Sequence, residues 1–302
     1  RAGIPVFVDP FLRVAPLDEI PWIRQCRMLL VCTNLFYGLF RRYHGDVPIL
    51  WWLHDPERLY QGKFCEKINE CYSDHIRVYA VGTLALEAFQ RRCPHWPMKG
   101  ILRFGIADFY RKRRETHPSS KVTFAVIGTI CHIKGQDIFL EAVRLLPVAL
   151  RRTCAFWIIG AREETRFADD VAEMAAALPE VQCLGALDRP AMEEIYAKID
   201  VLVCPSREDC MPVVTVEAMM NARPIIVSDR TGTAVFITEG ENGCIVPAGD
   251  AVRLAEKMQW VAERPKVRQS MGKKARVIYE EKFSLPVFEK NLCAAIEEVL
   301  GQ

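Results

Sequence analysis

From residue 121 onward, short apolar runs rich in β-branched residues alternate with segments whose apolar positions recur every three or four residues. The runs Val122–Ile127, Ala155–Ile159, Val181–Leu184, Val201–Cys204, Pro224–Val227 and Cys244–Val246 read as buried strands, because a strand covered on both faces has no polar side to show. Asp137–Leu146 carries apolar residues at 138, 139, 142, 143, 145 and 146, which form one face of a helix. Phe167–Leu178, Ala191–Lys198 and Val213–Asn221 read the same way. Thr233–Glu239 is predicted as a short helix, and Val252–Glu263, Val267–Glu281 and Pro286–Leu300 as longer ones. Strand and helix in regular alternation predict a parallel sheet with helices on both faces, an α/β, doubly wound, Rossmann-like domain. Right-handed crossovers leave few other topologies.

The first 110 residues alternate less regularly. Ile4–Val8, Met28–Cys32, Ile49–Leu53, Val78–Val81 and Gly100–Phe104 read as strands of a second, shorter α/β unit. Arg111–Ser120 (RKRRETHPSS) is polar, charged and holds Pro118, which is linker composition. The predicted layout is an N-terminal Rossmann-like domain over 1–112, a linker over 113–120, a second domain over 121–285, and a final amphipathic helix over 286–302 expected to pack back on the first domain. The chain opens on Arg1, and no glycine-rich strand–turn–helix begins it, so the first domain is expected to lack its start.

Composition narrows the class. The 302 residues suit two domains. Half of them are apolar and 26% charged, a globular balance. The longest nearly charge-free apolar stretch, Met28–Phe40, has 13 residues, too few to span a bilayer, and no basic segment leads into a long apolar one as in a secretory signal. The twelve cysteines form no CxxC pair. Several stand in apolar runs, such as Cys154 in CAFWII and Cys204 in VLVCP, where a free thiol acts as a small hydrophobe. Reduced thiols in a cytoplasmic protein are the expectation.

The net charge of +2 hides an asymmetry: residues 1–120 carry 18 Lys and Arg against 12 Asp and Glu, and residues 121–302 carry 22 against 26. Arg41-Arg42, Arg91-Arg92 and Arg111-Lys112-Arg113-Arg114 concentrate the positive charge. Such residues commonly form solvated surface. They would also suit an anionic partner, such as a phosphorylated acceptor or a peripheral contact with the inner membrane face. Aromatics are not interleaved with them, so no nucleic-acid partner is expected.

In an open parallel sheet, ligands sit beyond the carboxyl ends of the strands. After the first strand of the second domain comes Gly128-Thr129-Ile130-Cys131-His132-Ile133-Lys134-Gly135. Gly128 lets backbone approach a ligand, and Lys134 is a point charge suited to phosphate. After Val201–Cys204 comes Pro205-Ser206-Arg207-Glu208-Asp209-Cys210-Met211-Pro212, then Val213 and Val214. Pro212 suits the first helical position, which would leave the amides near Val213 and Val214 free for an anion. Glu217 lies roughly 7 Å further along the axis, where a carboxylate can take ribose hydroxyls.

Here the chain resembles a known family. Asp209 and Glu217 are similar to the Glu-x7-Glu signature of retaining GT-B glycosyltransferases of the family-4, group 1 type. The resemblance covers the whole second domain. Gly128…Lys134-Gly135 looks like that family's donor-phosphate loop, and Val181-Gln182-Cys183-Leu184-Gly185 like the strand ending near the base. Tyr196-Ala197-Lys198-Ile199-Asp200-Val201, Arg223-Pro224-Ile225-Ile226-Val227-Ser228-Asp229 and Glu241-Asn242-Gly243-Cys244-Ile245-Val246 resemble further motifs, in order. In the first domain, Trp51-Trp52-Leu53-His54-Asp55 is similar to a strand end that carries a histidine.

The resemblance implies a GT-B-like fold of two Rossmann-like domains, the first on the acceptor side. It implies a nucleotide-diphosphate sugar as donor, a glycan or lipid-linked acceptor, retention of anomeric configuration and no metal or other cofactor. Lys134 and the helix-start amides would steady the departing diphosphate. Glu217 would hold ribose, Asp209 the sugar hydroxyls, and His54 would approach sugar or acceptor. Asp209, Lys134 and His54 are thus the catalytic candidates. Gly128, Thr129, Gly185, Glu208, Met211, Val213, Val214 and Glu217 are the donor-binding ones.

Several positions depart from the pattern. Asp209 stands for Glu, with Glu208 beside it as a competitor for the role. Thr129 replaces a frequent Arg, and Val235 a frequent acid. Thr129, Val235 and the expected truncation of the first domain favour a second reading, a degenerate nucleotide-sugar-binding module or partner subunit. A dehydrogenase would need a GxGxxG turn, which neither domain shows. A phosphorylase or epimerase of the same architecture would look alike in sequence.

Overall fold

A computed structural model describes residues 20, 22–33, 40, 43, 45–60, 66–68, 70, 73–110 and 121–301. The chain divides into two compact units, Arg1–Arg103 with Lys290–Gln302, and Phe104–Glu289.

In the first unit, β1 (Leu29–Val31), β2 (Ile49–Leu53), β3 (Ile76–Ala80) and β4 (Met98–Ile101) form a parallel sheet in the order β1-β2-β3-β4. Every residue of β2 is buried, as the continuous run ILWWL requires. Trp51 is the centre of the core. Its ring meets Phe40, Phe89 and Trp96 edge-on at 5.0, 5.5 and 5.5 Å, a geometry that aligns ring edges with ring faces. Helix α1 (Thr83–Arg92) supplies Ala85, Ala88 and Phe89 to this core. The expected strand Ile4–Val8 lies outside the described residues.

The second unit holds β5 (Val122–Ile127), α2 (Gln136–Leu145), α3 (Val148–Arg152), β6 (Cys154–Ile159), α4 (Arg166–Ala176), β7 (Val181–Gly185), α5 (Arg189–Lys198), β8 (Val201–Cys204), α6 (Val213–Met220), β9 (Ile225–Ser228), β10 (Gly243–Val246), α7 (Ala251–Ala262) and α8 (Pro265–Lys282). The strands form one parallel sheet in the order β10-β9-β8-β5-β6-β7. Phe124 of β5 pairs in register with Phe156 of β6 and Val201 of β8, and the two phenyl rings stack at 5.8 Å. Side-chain caps mark helix starts: Asp188 accepts from the Ala191 amide and Asp250 from the Arg253 amide. Asp200, buried ahead of β8, accepts the Thr123 amide at 3.0 Å and ties the entries of β5 and β8 together.

The structure differs from the sequence reading in four places. The units divide at residue 103 rather than 112. Phe104 packs on Phe283, the Ile106 amide donates to the Phe283 carbonyl at 3.0 Å, and Asp108 pairs with Arg276, so this segment belongs to the second unit. The expected linker lies outside the described residues. Helix α9 (Leu285–Leu300) shares its residues between the units: Lys290 onward belongs to the first, where Glu298 accepts from Tyr79 at 2.5 Å. The short helix expected over Thr233–Glu239 is a 3-10 helix with earlier bounds, Gly232–Phe236. The Gly232 amide is drawn to the Asp209 carbonyl at 2.8 Å, and a Cβ at Gly232 would stand 1.6 Å from the Cys210 carbonyl oxygen, so tertiary contact sets the backbone there. Helices α1 and α3 were not foreseen.

Candidate active site

The strand order reverses beside β5. β6 and β7 extend the sheet to one side, and the chain then returns to lay β8 on the other. Connections that depart in opposite directions part at such a point and leave a crevice at the carboxyl ends. The Gly128–Gly135 and Pro205–Pro212 loops follow the two strands that flank it. Gly135 adopts φ +71°, and a Cβ there would lie 2.3 Å from the Pro205 carbonyl oxygen, so only glycine lets the loops close on each other. Arg207 completes the joint. Its amide donates to the Ile133 carbonyl at 2.7 Å, and its guanidinium bonds the His132 carbonyl and both oxygens of Asp137 at 2.6 to 2.9 Å.

Two of the candidates meet there. The Lys134 Nζ donates to Asp209 Oδ2 at 2.5 Å. Burial disfavours the Lys134 ammonium, but the Asp209 carboxylate outweighs it and holds the pKa above that of an ordinary lysine. Gly128 borders the lysine stem; a Cβ there would touch Cδ at 3.7 Å. Asp209 is itself fixed, since its amide donates to the Arg230 carbonyl at 3.0 Å. Thr129 is exposed and Glu208 half-buried.

Helix α6 begins at Val213, the start expected from the hydrophobic pattern, and Pro212 is its N-cap, with φ −66° and extended ψ, and not the first helical residue. Its ring still presets the entry, and its carbonyl accepts the Thr215 hydroxyl at 2.7 Å. Val213 is exposed and Val214 half-buried at the open first turn, while Met211 is buried beneath. One turn along, Glu217 accepts a 2.8 Å hydrogen bond from the hydroxyl of Tyr196 on α5. Burial pushes the Glu217 carboxyl up, against the Tyr196 bond and the charge of Arg189. Gly185 ends the edge strand β7, exposed, with φ +69° and its carbonyl on the Gly160 amide at 2.9 Å.

His54 stands in the first unit, directly after β2. Its ring lies 4.4 Å from that of Trp52, and burial lowers its pKa, which favours the neutral imidazole. The structure thus brings Lys134 and Asp209 into contact. It places the α6 start and Glu217 on the segment that follows the Asp209 loop, and His54 in the other unit. Val235 is exposed. Arg207 and Tyr196 stand in stretches quoted from the sequence but receive no role there. A loop arginine carries no periodic signal, and the destination of a tyrosine hydroxyl is a tertiary fact. Among the described residues no three His, Cys, Asp or Glu side chains converge as a metal site, and no helix is long and apolar enough to cross a membrane.

Known proteins resemble this chain in sequence and in fold. The family model "Glycosyl transferases group 1" matches residues 109–277, more than half of the chain. The lipopolysaccharide core biosynthesis mannosyltransferase LpcC of Rhizobium leguminosarum bv. viciae is 27% identical over 176 residues, 58% of this chain and 50% of that protein. The alpha-D-kanosaminyltransferase of Streptomyces kanamyceticus is 23% identical over 173 residues, 57% and 45% of the two chains. The chain spans about half the length of the curated relatives that it matches. Among solved structures, Anabaena HepE in complex with UDP and glucose aligns with TM-score 0.79 at 17% identity, over 97% of this chain and 84% of that one. This likeness establishes an α/β, GT-B-like fold.

Proposed function

Because this chain belongs to the group 1 glycosyl transferases, we propose that it moves a sugar from a nucleotide-diphosphate sugar to a glycan or lipid-linked acceptor, with retention of anomeric configuration as in family-4 enzymes. The observation that carries the reading is the meeting of Lys134 with Asp209 beyond the ends of β5 and β8, at the strand reversal, with the start of α6 on the segment that follows. A leaving diphosphate gains negative charge. An ammonium and preorganised amides stabilise that charge without reorganising. In this reading they do so without a metal. Glu217 takes the ribose and Asp209 the sugar hydroxyls. Thr129, Gly128, Glu208, Met211, Val213 and Val214 line the donor, and Gly185 borders the base. The role of His54 on sugar or acceptor rests on the sequence resemblance.

HepE, solved with UDP and glucose, supports a nucleotide as ligand. The name of LpcC supports an acceptor from cell-surface polysaccharide assembly. Titration calorimetry with UDP-, GDP-, ADP- and dTDP-sugars tests the reading: one of them should bind, and release of its sugar to an acceptor should keep the anomeric configuration by proton NMR. Failure of all four to bind would overturn it. A second reading, a non-catalytic nucleotide-sugar-binding module, is favoured by the Lys134–Asp209 pair, which engages the sugar-binding acid elsewhere. Binding without transfer in the presence of acceptor glycans would select it.

A further inference from the structure

We propose that Tyr196 is a positioning residue for donor binding: its hydroxyl holds Glu217 Oε2 and leaves Oε1 to the pentose of the nucleotide. This rests on the reading of Glu217 as the ribose carboxylate.

The Tyr196 side chain is fully buried. Its oxygen lies 2.8 Å from Glu217 Oε2 and 3.4 Å from the Val214 carbonyl oxygen. A phenol has one proton to give, and the shorter contact to a carboxylate takes it, because charge-assisted bonds are the stronger ones. The hydroxyl is therefore placed between the first turn of α6 and the carboxylate one turn below. The tyrosine cannot drift, because its own carbonyl accepts from Arg223 Nε at 2.8 Å and the next carbonyl from the same guanidinium at 3.3 Å, with Arg223 itself buried. Among the described residues no hydrogen bond reaches Glu217 Oε1. One oxygen is held and the other is available, which is the arrangement a rigid acceptor for a sugar hydroxyl needs.

The charged and titratable groups facing this pair are few. Arg189 shares α5 with Tyr196 and lies over the Phe109 ring. The Cys204 thiol at the end of β8 is pushed up to about 11 by burial and stays neutral. Arg276 of α8 binds the Met220 carbonyl at the far end of α6 and pairs with Asp108. Burial drives Glu217 toward protonation, and the Tyr196 bond and Arg189 oppose it. Loss of the hydroxyl leaves burial less opposed, so the Glu217 pKa rises and the carboxylate is lost at a higher pH.

The test compares wild type and Tyr196→Phe in the full chain, by calorimetry, with UDP, GDP and ADP, each against its 2′,3′-dideoxy form, and with inorganic pyrophosphate. Wild type should prefer the ribose form of the nucleotide that it binds. Tyr196→Phe should weaken that nucleotide about fivefold, the scale of one hydrogen bond, narrow the ribose preference, and move the acid limb of affinity to higher pH. Pyrophosphate affinity should not change, since that probe carries no pentose. Glu217→Gln should reproduce the loss of ribose preference and add little on top of Tyr196→Phe. A ribose preference and pH profile unaltered in Tyr196→Phe would overturn the role of Tyr196 alone. Wild type that binds pyrophosphate and no nucleoside diphosphate, or binds nothing, would overturn the donor reading and this inference with it.

Discussion

In the six-stranded sheet β5 lies inside, with strands added first to one side and then to the other; the described strands of the first unit run β1-β2-β3-β4 with no reversal. The two sheets share parallel pairing and buried aromatic cores, yet their strand ends differ in chemistry. At the reversal, an ammonium and a carboxylate meet across 75 residues of sequence. At the end of β2, a histidine lies against a tryptophan ring whose Nε1 donates to the Leu102 carbonyl. A parallel sheet by itself makes no binding site. The change of winding direction offers the place for one, because it brings the polar groups of two loops together beyond the strand ends.

Three substitutions probe that contrast. The largest effect is expected from Lys134→Ala. Loss of a charged hydrogen bond, about 1.5–3 kcal/mol, should weaken nucleoside diphosphate binding by about tenfold to a hundredfold in calorimetry; unchanged affinity would show that the crevice is not the diphosphate site. Asp209→Asn should act in the opposite direction. In the proposed reading it removes an anion that competes with the diphosphate for Lys134. For a partly exposed pair this amounts to about 1 kcal/mol, so UDP should bind about fivefold tighter while sugar transfer falls. Weaker UDP binding would mean that Asp209 chiefly orients the lysine. The smallest effect on nucleotide affinity is expected from His54→Ala, within about 0.5 kcal/mol, with any loss confined to transfer. A loss as large as that of Lys134→Ala would erase the distinction between the two strand ends.

Much of this was legible in the chain, unevenly and for physical reasons. Ile49–Leu53, Val122–Ile127 and Val201–Cys204 have in the structure the bounds expected from sequence, because strands buried on both faces are apolar from end to end. Helix α1 was missed since two of the three residues that it buries are alanines, whose period is faint. α3 has only five residues and none of them is buried. In the site, Lys134, Asp209 and Glu217 each stood out by residue type and position. The ion pair between the first two did not, because it depends on β8 returning to lie beside β5. The clamp of Arg207 on Asp137 was hidden for the same cause.

The seating of Gly135 on the Pro205 carbonyl has a practical corollary. The spacing of the two loops at this point is set by main chain meeting main chain, with no side chain between. Substitutions meant to alter this site with least disturbance belong at the outward tips of the two loops. An enlarged residue at position 135 would act as a wedge and shift both charged partners at once.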